Sequence, residues 1–241
     1  MNATRIGAIY LKELREFRRN GSITTTMALI PLGITAFPLI EVIALPVSAA
    51  SGLLNGDPLV ILLGIPAVIP SVVATYAVVG ERQQGTLEPV LTTPIRREEL
   101  LLAKALAALV PSLVVAYVVY GIFLACTKLF AKPEVAAAVF QGPPLLVQLL
   151  FTPLLAVWSI WIGILVSTRS SDVRVAQQIG SLAGLPVIGV AYLVAFNVIH
   201  ATLLLAVGVG AALLVLDGIG WRIVSAAFNR ERLITGSRNS R

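Results

Sequence analysis

The side chains able to do chemistry gather in one short stretch, Glu81-Arg-Gln-Gln-Gly-Thr-Leu-Glu88 running on to Thr93-Pro-Ile-Arg-Arg-Glu-Glu99. Seven residues there ionise: Glu81, Arg82, Glu88, Arg96, Arg97, Glu98 and Glu99. The island has no histidine or cysteine. His200, the one histidine of the chain, leaves no His pair for a metal or a proton relay, and Cys126, the one cysteine, leaves no internal disulfide. No Gly-x-x-x-x-Gly-Lys-Ser/Thr loop occurs, so the chain lacks the usual ATP phosphate cradle. Gly180-Ser181-Leu-Ala-Gly184 lacks the Gly-x-Ser-x-Gly spacing of a hydrolase elbow. The chemistry that remains is charge recognition: a compact charged surface that a partner protein reaches from water.

The elements that hold this island are apolar. Of 241 residues 57% are hydrophobic and only 12% charged, with a mean hydropathy of +0.91. A soluble domain carries roughly a quarter charged residues, so the composition points to an all-α integral membrane protein. Hiding seven charges at the bilayer centre would cost on the order of 20 kcal/mol, which places the island in water. Six apolar runs read as spans: Ser22–Leu45, Leu59–Gly80, Leu101–Ala125, Pro143–Val166, Ile179–Val198 and Ala201–Ile219. At 1.5 Å per residue each crosses a core of ~30 Å. Residues 179–219 divide into two spans because one helix of that length is roughly twice the bilayer thickness, and Asn197 and His200 offer a polar break.

Charge orients these spans. Lys and Arg number five in Met1–Gly21, four in Gly80–Lys104, two in Ser167–Gln178 and five after Ile219, or 16 of 18; Lys128 and Lys132 lie on the other side. Positive residues stay inside. Both termini, the island and the 167–178 loop are therefore expected in the cytosol of a multi-pass plasma-membrane protein. The net charge of +6 follows these loops and implies no nucleic-acid partner. Met1–Gly21 lacks the apolar core of a secretory signal. Instead Ile6, Ile9, Tyr10, Leu14 and Phe17 recur at helical spacing, as in a helix lying among lipid headgroups, and Ile223, Val224, Ala227 and Phe228 repeat the pattern. Within the island Gly85-Thr86 makes a flexible corner, Leu87, Val90 and Leu91 form a small apolar face, and Thr93-Pro94 breaks the helix. A new helix begins near Arg96 with Glu98 and Glu99 in its first turn. Lys104 is expected to snorkel to the headgroups.

Glu81-x-x-x-Gly85-Thr86-Leu87-Glu88, then Leu91-Thr-Thr-Pro94-Ile95 and Arg96-Arg-Glu-Glu-Leu100-Leu-Leu-Ala-Lys104, resembles the ABC-2 (ATP-binding cassette, type 2) transporter permeases. Lys12-Glu-Leu-Arg15, Phe228-Asn-Arg-Glu-Arg-Leu233 and the six-span layout fit the same pattern. The resemblance implies six transmembrane helices (22–219) preceded by an amphipathic elbow helix (1–21) and followed by a basic tail (220–241). It further implies a homo- or heterodimer of permeases exporting a cargo across the membrane. A cytoplasmic coupling helix between spans two and three would dock on a separate ATPase subunit. Glu81, Gly85, Thr86, Leu87, Glu88, Leu91 and Pro94 would belong to this coupling segment (81–99), with Lys12, Glu13 and Arg15 as elbow contacts. The chain itself would be no enzyme and hold no cofactor, ATP and Mg belonging to the partner. Pro89 departs from the pattern, which usually continues with an ordinary residue there. An ion-gradient-driven secondary transporter is the alternative, but its usual midplane charges and repeated halves are not evident. A scaffold, which needs no chemistry, is a third reading.

The other polar and aromatic residues have plainer readings. Glu41 lies ~28 Å along its span, at the outer surface. Trp158 and Trp161, three apart, and Tyr117 and Tyr120 are expected to face lipid or anchor at an interface; lining an apolar path is the other role open to the tryptophans. Pro66, Pro70, Pro111, Pro153 and Pro186 mark kinks.

Overall fold

In hydrocarbon a backbone satisfies its own N–H and C=O groups only by coiling, so the apolar runs form helices. The computed structural model describes residues 2–47, 57–85, 95–186, 189–190, 193 and 202–227. In chain order they form α1 (Ala3–Arg19), α2 (Gly21–Ala44), α3 (Asp57–Leu62), α4 (Gly64–Gln83), α5 (Arg97–Phe130), α6 (Pro133–Val139), α7 (Gly142–Arg169), α8 (Val173–Ser181) with a 3-10 turn at Leu182–Gly184, and α9 (Leu203–Ala227). Among the described residues five helices are long and apolar enough to cross a membrane: Gly21–Ala44, Leu59–Gln83, Arg97–Phe130, Leu145–Arg169 and Leu204–Ala227. They correspond to the first four predicted spans and the last. Most of the predicted fifth, Ile179–Val198, lies outside the described residues.

Local chemistry sets the breaks. Asn20 separates α1 from α2: its side chain accepts from the N–H groups of Ser22 and Ile23, and its own N–H donates to Glu16 O and Phe17 O. One residue thus ends one helix and caps the next. The second span is interrupted at Leu63 because Pro66 has no N–H to offer Leu62 O.

α4 is the enclosed helix, wrapped by α2, α5, α7 and α8. Its seam with α7 is a polar ladder. Ser159 Oγ accepts from Ser71 N–H at 3.0 Å; Ser167 Oγ accepts from Val79 N–H at 3.1 Å and donates to Thr75 O at 2.7 Å; Arg82 donates to Ser170 O at 2.7 Å. Each partner, on α7 or at its C-cap Ser170, lies 88 residues beyond Ser71, Val79 or Arg82, so the two helices run parallel. α9 also runs parallel to α7, with Gly210 beside Phe151 and Gly220 against Trp161. α8 runs antiparallel to α4, Gly180 meeting Thr75 and Gly184 meeting Val68. Gly180 and Gly184, a small-residue pair four apart, let backbones approach closely. One end of the bundle therefore gathers the ends of α4 and α7 with the starts of α2, α5 and α8, and α1 packs there.

Several aromatic side chains depart from the lipid-facing expectation. Tyr120 is buried and stacks on Phe123, with centroids 6.3 Å apart. Tyr117 donates its hydroxyl to Leu149 O at 3.0 Å. Trp161 is buried edge-on against Trp221, 5.5 Å between centroids. Packing against neighbouring helices buries Tyr120 and Trp161, while Tyr117 also finds a backbone carbonyl acceptor that lipid tails lack. Tyr117→Phe is expected to lower stability by about 0.6 kcal/mol, the mean for an interhelical bond in a bilayer, read by unfolding in nanodiscs. The stripe at residues 223–227 is not a separate interfacial helix: α9 continues unbroken to Ala227, and Val224 is buried in the same cluster as Trp161. Phe228 lies outside the described residues.

Candidate functional site

α1 is amphipathic, and its inward face carries an acid. Glu13 falls four residues before Phe17, in register with Ile6, Ile9 and Tyr10, and both Glu13 and Phe17 are buried. α4 ends in Glu81-Arg82-Gln83, also with its acid turned inward. Lys104, seven residues into α5, comes between the two. Its Nζ donates to Glu13 Oε1 at 2.9 Å and to Ala77 O at 2.6 Å, and lies 2.9 Å from Glu81 Oε2. Lys12 reaches Glu81 Oε1 at 2.5 Å, Glu13 at 3.3 Å and Glu16 at 3.0 Å. Lys104 and Glu13 are each 1% exposed and Glu81 3%.

Two expectations are corrected here. Lys104 does not snorkel, because two buried carboxylates and a carbonyl hold it inside the protein. Nor is the whole island solvated: Glu81 and Glu99 are buried. The cost of burying charge in lipid is real, but a paired, hydrogen-bonded charge inside protein escapes most of it. Glu99 accepts from Asn2 N–H at 2.7 Å and Arg96 N–H at 3.3 Å, tying the start of α1 to the start of α5.

The electrostatics follow from this enclosure. Burial pushes the Glu13 carboxyl above its usual range, against the opposing pull of Lys104 and Lys12. For Lys12 burial works the other way, yet Glu13, Glu81 and Glu16 hold its ammonium above the usual lysine range. Glu13, Glu16 and Glu81 bring carboxylate oxygens within 4.8 Å of one another. The two lysines already supply the positive charge a metal ion would bring. The cluster joins α1, α4 and α5.

Gly85 follows directly. α4 stops at Gln83, Gln84 N–H donates to Gly80 O at 3.0 Å, and Gly85 takes φ +69° with its N–H on Arg82 O at 3.2 Å. This left-handed turn steers the chain off the helix axis, and glycine takes it without strain. Gly85→Ala is expected to cost about 1 kcal/mol, visible as a matching loss in equilibrium unfolding.

Of the residues singled out from sequence, Lys12, Glu13 and Glu81 meet in one cluster and Gly85 forms the turn beside it. Arg15 is exposed on another face of α1 and takes no part. Thr86, Leu87, Glu88, Leu91 and Pro94 lie outside the described residues, as does Pro89. Sequence reading missed the cation at the centre and the Asn2–Glu99 bond. The signal for the first was present: Glu13 in an apolar stripe and Lys104 in an apolar span are complementary misfits.

Long apolar helices, with an amphipathic helix folded against one end and a charged connection between the second and third, define a multi-pass integral membrane protein. The family model described as ABC-2 type transporter matches residues 4–191, and the chain belongs to this family as its membrane (permease) domain. The match covers α1 to α8 and ends before α9. No curated protein matches the chain.

Proposed function

We propose that this chain is the membrane-spanning permease subunit of an ABC exporter, which with a second copy or a related permease forms the translocation path. A separately encoded ATPase docks on the segment at residues 81–99, and ATP and Mg stay in that partner. The observation that carries the reading is the ion cluster at the root of this segment. Glu81, the residue from which the segment departs, is tied through Lys104 to α5 and through Lys12 and Lys104 to α1. A push on the segment thereby moves the elbow helix and two spans as one body. Thr86, Leu87, Glu88, Leu91 and Pro94 make the contact surface, with Gly85 as its hinge, and Arg15 on the exposed face of α1 is free to meet the same partner.

The reading has six spans, expected over residues 22–219, an elbow at 1–21 and a tail at 220–241 whose first residues, to Ala227, continue the last helix, with both termini in the cytosol. Two directions in the bundle support the count. α9 is parallel to α7, so the chain must cross back between them, and α8 already runs in the returning direction. Exposed apolar side chains on α2, among them Leu29, Leu32, Phe37 and Ile40, suit lipid and a second copy.

The test is purification from native membranes together with transport in vesicles. An ATPase subunit accompanies the chain, and export stops on ATP depletion but survives collapse of proton and sodium gradients with ATP clamped. The reverse pattern would establish a gradient-driven carrier. Thr86→Cys and Arg97→Cys, each in a Cys126→Ser background, label from the cytosolic side; labelling only from outside would invert the proposal.

A further inference from the structure

The chain has three tryptophans, and all of them lie on α7 and α9: Trp158, Trp161 and Trp221. α9 also carries one acid, Asp217. The contacts between these helices fix where that acid points. Gly210 lies beside Phe151, Leu213 packs in one cluster with Leu155, Gly220 is set against the Trp161 ring, Trp221 meets Trp161, and Val224 is buried. Residues 210, 213, 217, 220, 221 and 224 fall on one helical stripe, so Asp217 sits in the face turned to α7. The parallel register pairs 210 with 151 and 220 with 161, which brings Asp217 level with Trp158.

Among the described residues no basic side chain pairs with this acid. Asp217 Oδ1 is shielded from solvent and has no hydrogen-bond partner among the described residues, and the same holds for Trp161 Nε1. Arg222 is five positions on, rotated about 140° from Asp217 around the helix axis, and is exposed. Arg169 is eight residues past Trp161, roughly 12 Å along α7. An intramembrane carboxyl group without a partner marks a functional site by default, and indole faces attract cations.

From this juxtaposition we propose that Asp217, with Trp158 and Trp161, forms a binding site for a hydrophobic organic cation between α7 and α9. The chemistry of the site narrows the class. A single carboxylate is too few ligands for a hard metal ion, which takes six or so oxygens. Asp217 lies ten residues, about 15 Å, before Ala227, to which the last candidate span runs, and is set back by that distance from the headgroups at that end. An ammonium or phosphonium wrapped in apolar groups satisfies the depth, the acid and the rings together. That the bound cation is exported rests on the permease reading above; that it binds does not.

The test uses the full chain in nanodiscs without ATPase, so its failure and the failure of the exporter reading are distinguishable. The probes are tetraphenylphosphonium and tetraphenylborate, which share size and shape and differ in sign. Since every tryptophan lies on these two helices, intrinsic fluorescence reports on them alone, and radiolabelled tetraphenylphosphonium gives occupancy. The cation is expected to bind saturably and quench, the anion to do neither. Asp217→Asn weakens the cation by about tenfold or more, whereas Asp217→Glu stays within about threefold of the native chain. Equal binding of the two ions to the native chain overturns the proposal without any variant being needed. So does undiminished phosphonium binding by Asp217→Asn, or an absence of saturable binding.

Discussion

Lys104→Met is expected to destabilise the protein by about 3–5 kcal/mol, the range for removing one partner from a buried ion pair. In a chain of this size that is a fall in Tm on the order of 10 °C. The methionine fills the lysine's space, so the loss comes from charge and not from a cavity. Glu13 and Glu81 would be left facing each other, almost wholly excluded from water, with Lys12 still beside both. Lys12 is more than a third exposed, so its attraction is screened and compensates little. A double-mutant cycle separates this account from a generic packing defect. Glu13→Gln in the Lys104→Met background removes one of the stranded charges, so the double variant should be more stable than the sum of the single losses implies. Additive losses, or a Lys104→Met variant as stable as the native chain, would remove the cluster from the account of how the elbow is held. If the permease reading holds, substrate-stimulated ATPase activity of the assembled complex falls in Lys104→Met and recovers in part in the double variant.

How far the sequence discloses this arrangement depends on which forces act. The spans are legible because transfer into lipid is a sum over a run of residues, and a sum can be read without knowing neighbours. The start of α5 near Arg96 and the corner at Gly85 are legible for the same reason, being local backbone chemistry. What each helix faces is not. α2 and α5 are apolar all round, so the 3.6-residue periodicity that marks the inner face of a soluble helix is absent. The inward turn of Lys104, the packing of Trp161 on Trp221 and the place of Asp217 among them depend on which helices become neighbours. The serines at positions 159 and 167 look unremarkable in sequence, yet they are what joins α7 to α4. Polar residues set in apolar stripes carried the missing information. Glu13, Lys104 and Asp217 are all misfits in apolar surroundings, and each lies where two helices meet.

The α4–α7 seam gives the second large effect. Gly163→Leu is expected to lose about 3 kcal/mol, and Gly163→Ala a large part of that. A Cβ at position 163 would stand 2.6 Å from Ser71 O and 2.9 Å from Ser71 Cα. Both are backbone atoms of the most enclosed helix, and they cannot rotate aside as the end of a side chain can. The helices must therefore separate. Overpacking of this kind costs about 1–3 kcal/mol. Separation also stretches the ladder, since Ser159 and Ser167 lie one turn to either side of Gly163. The Ser167 hydroxyl bridges Thr75 O and Val79 N–H, so it loses two bonds at once; interhelical bonds in bilayers average about 0.6 kcal/mol each. Gly121→Ala is the control. It is a helix-interior glycine with nothing within 4 Å of its added Cβ, so its replacement should be neutral or should stabilise by up to about 1 kcal/mol through helix propensity. Denaturant unfolding of the two alanine variants in the same nanodiscs decides the matter. Were Gly163→Ala to match Gly121→Ala, the close approach of α4 to α7 would not be what holds the bundle's centre together.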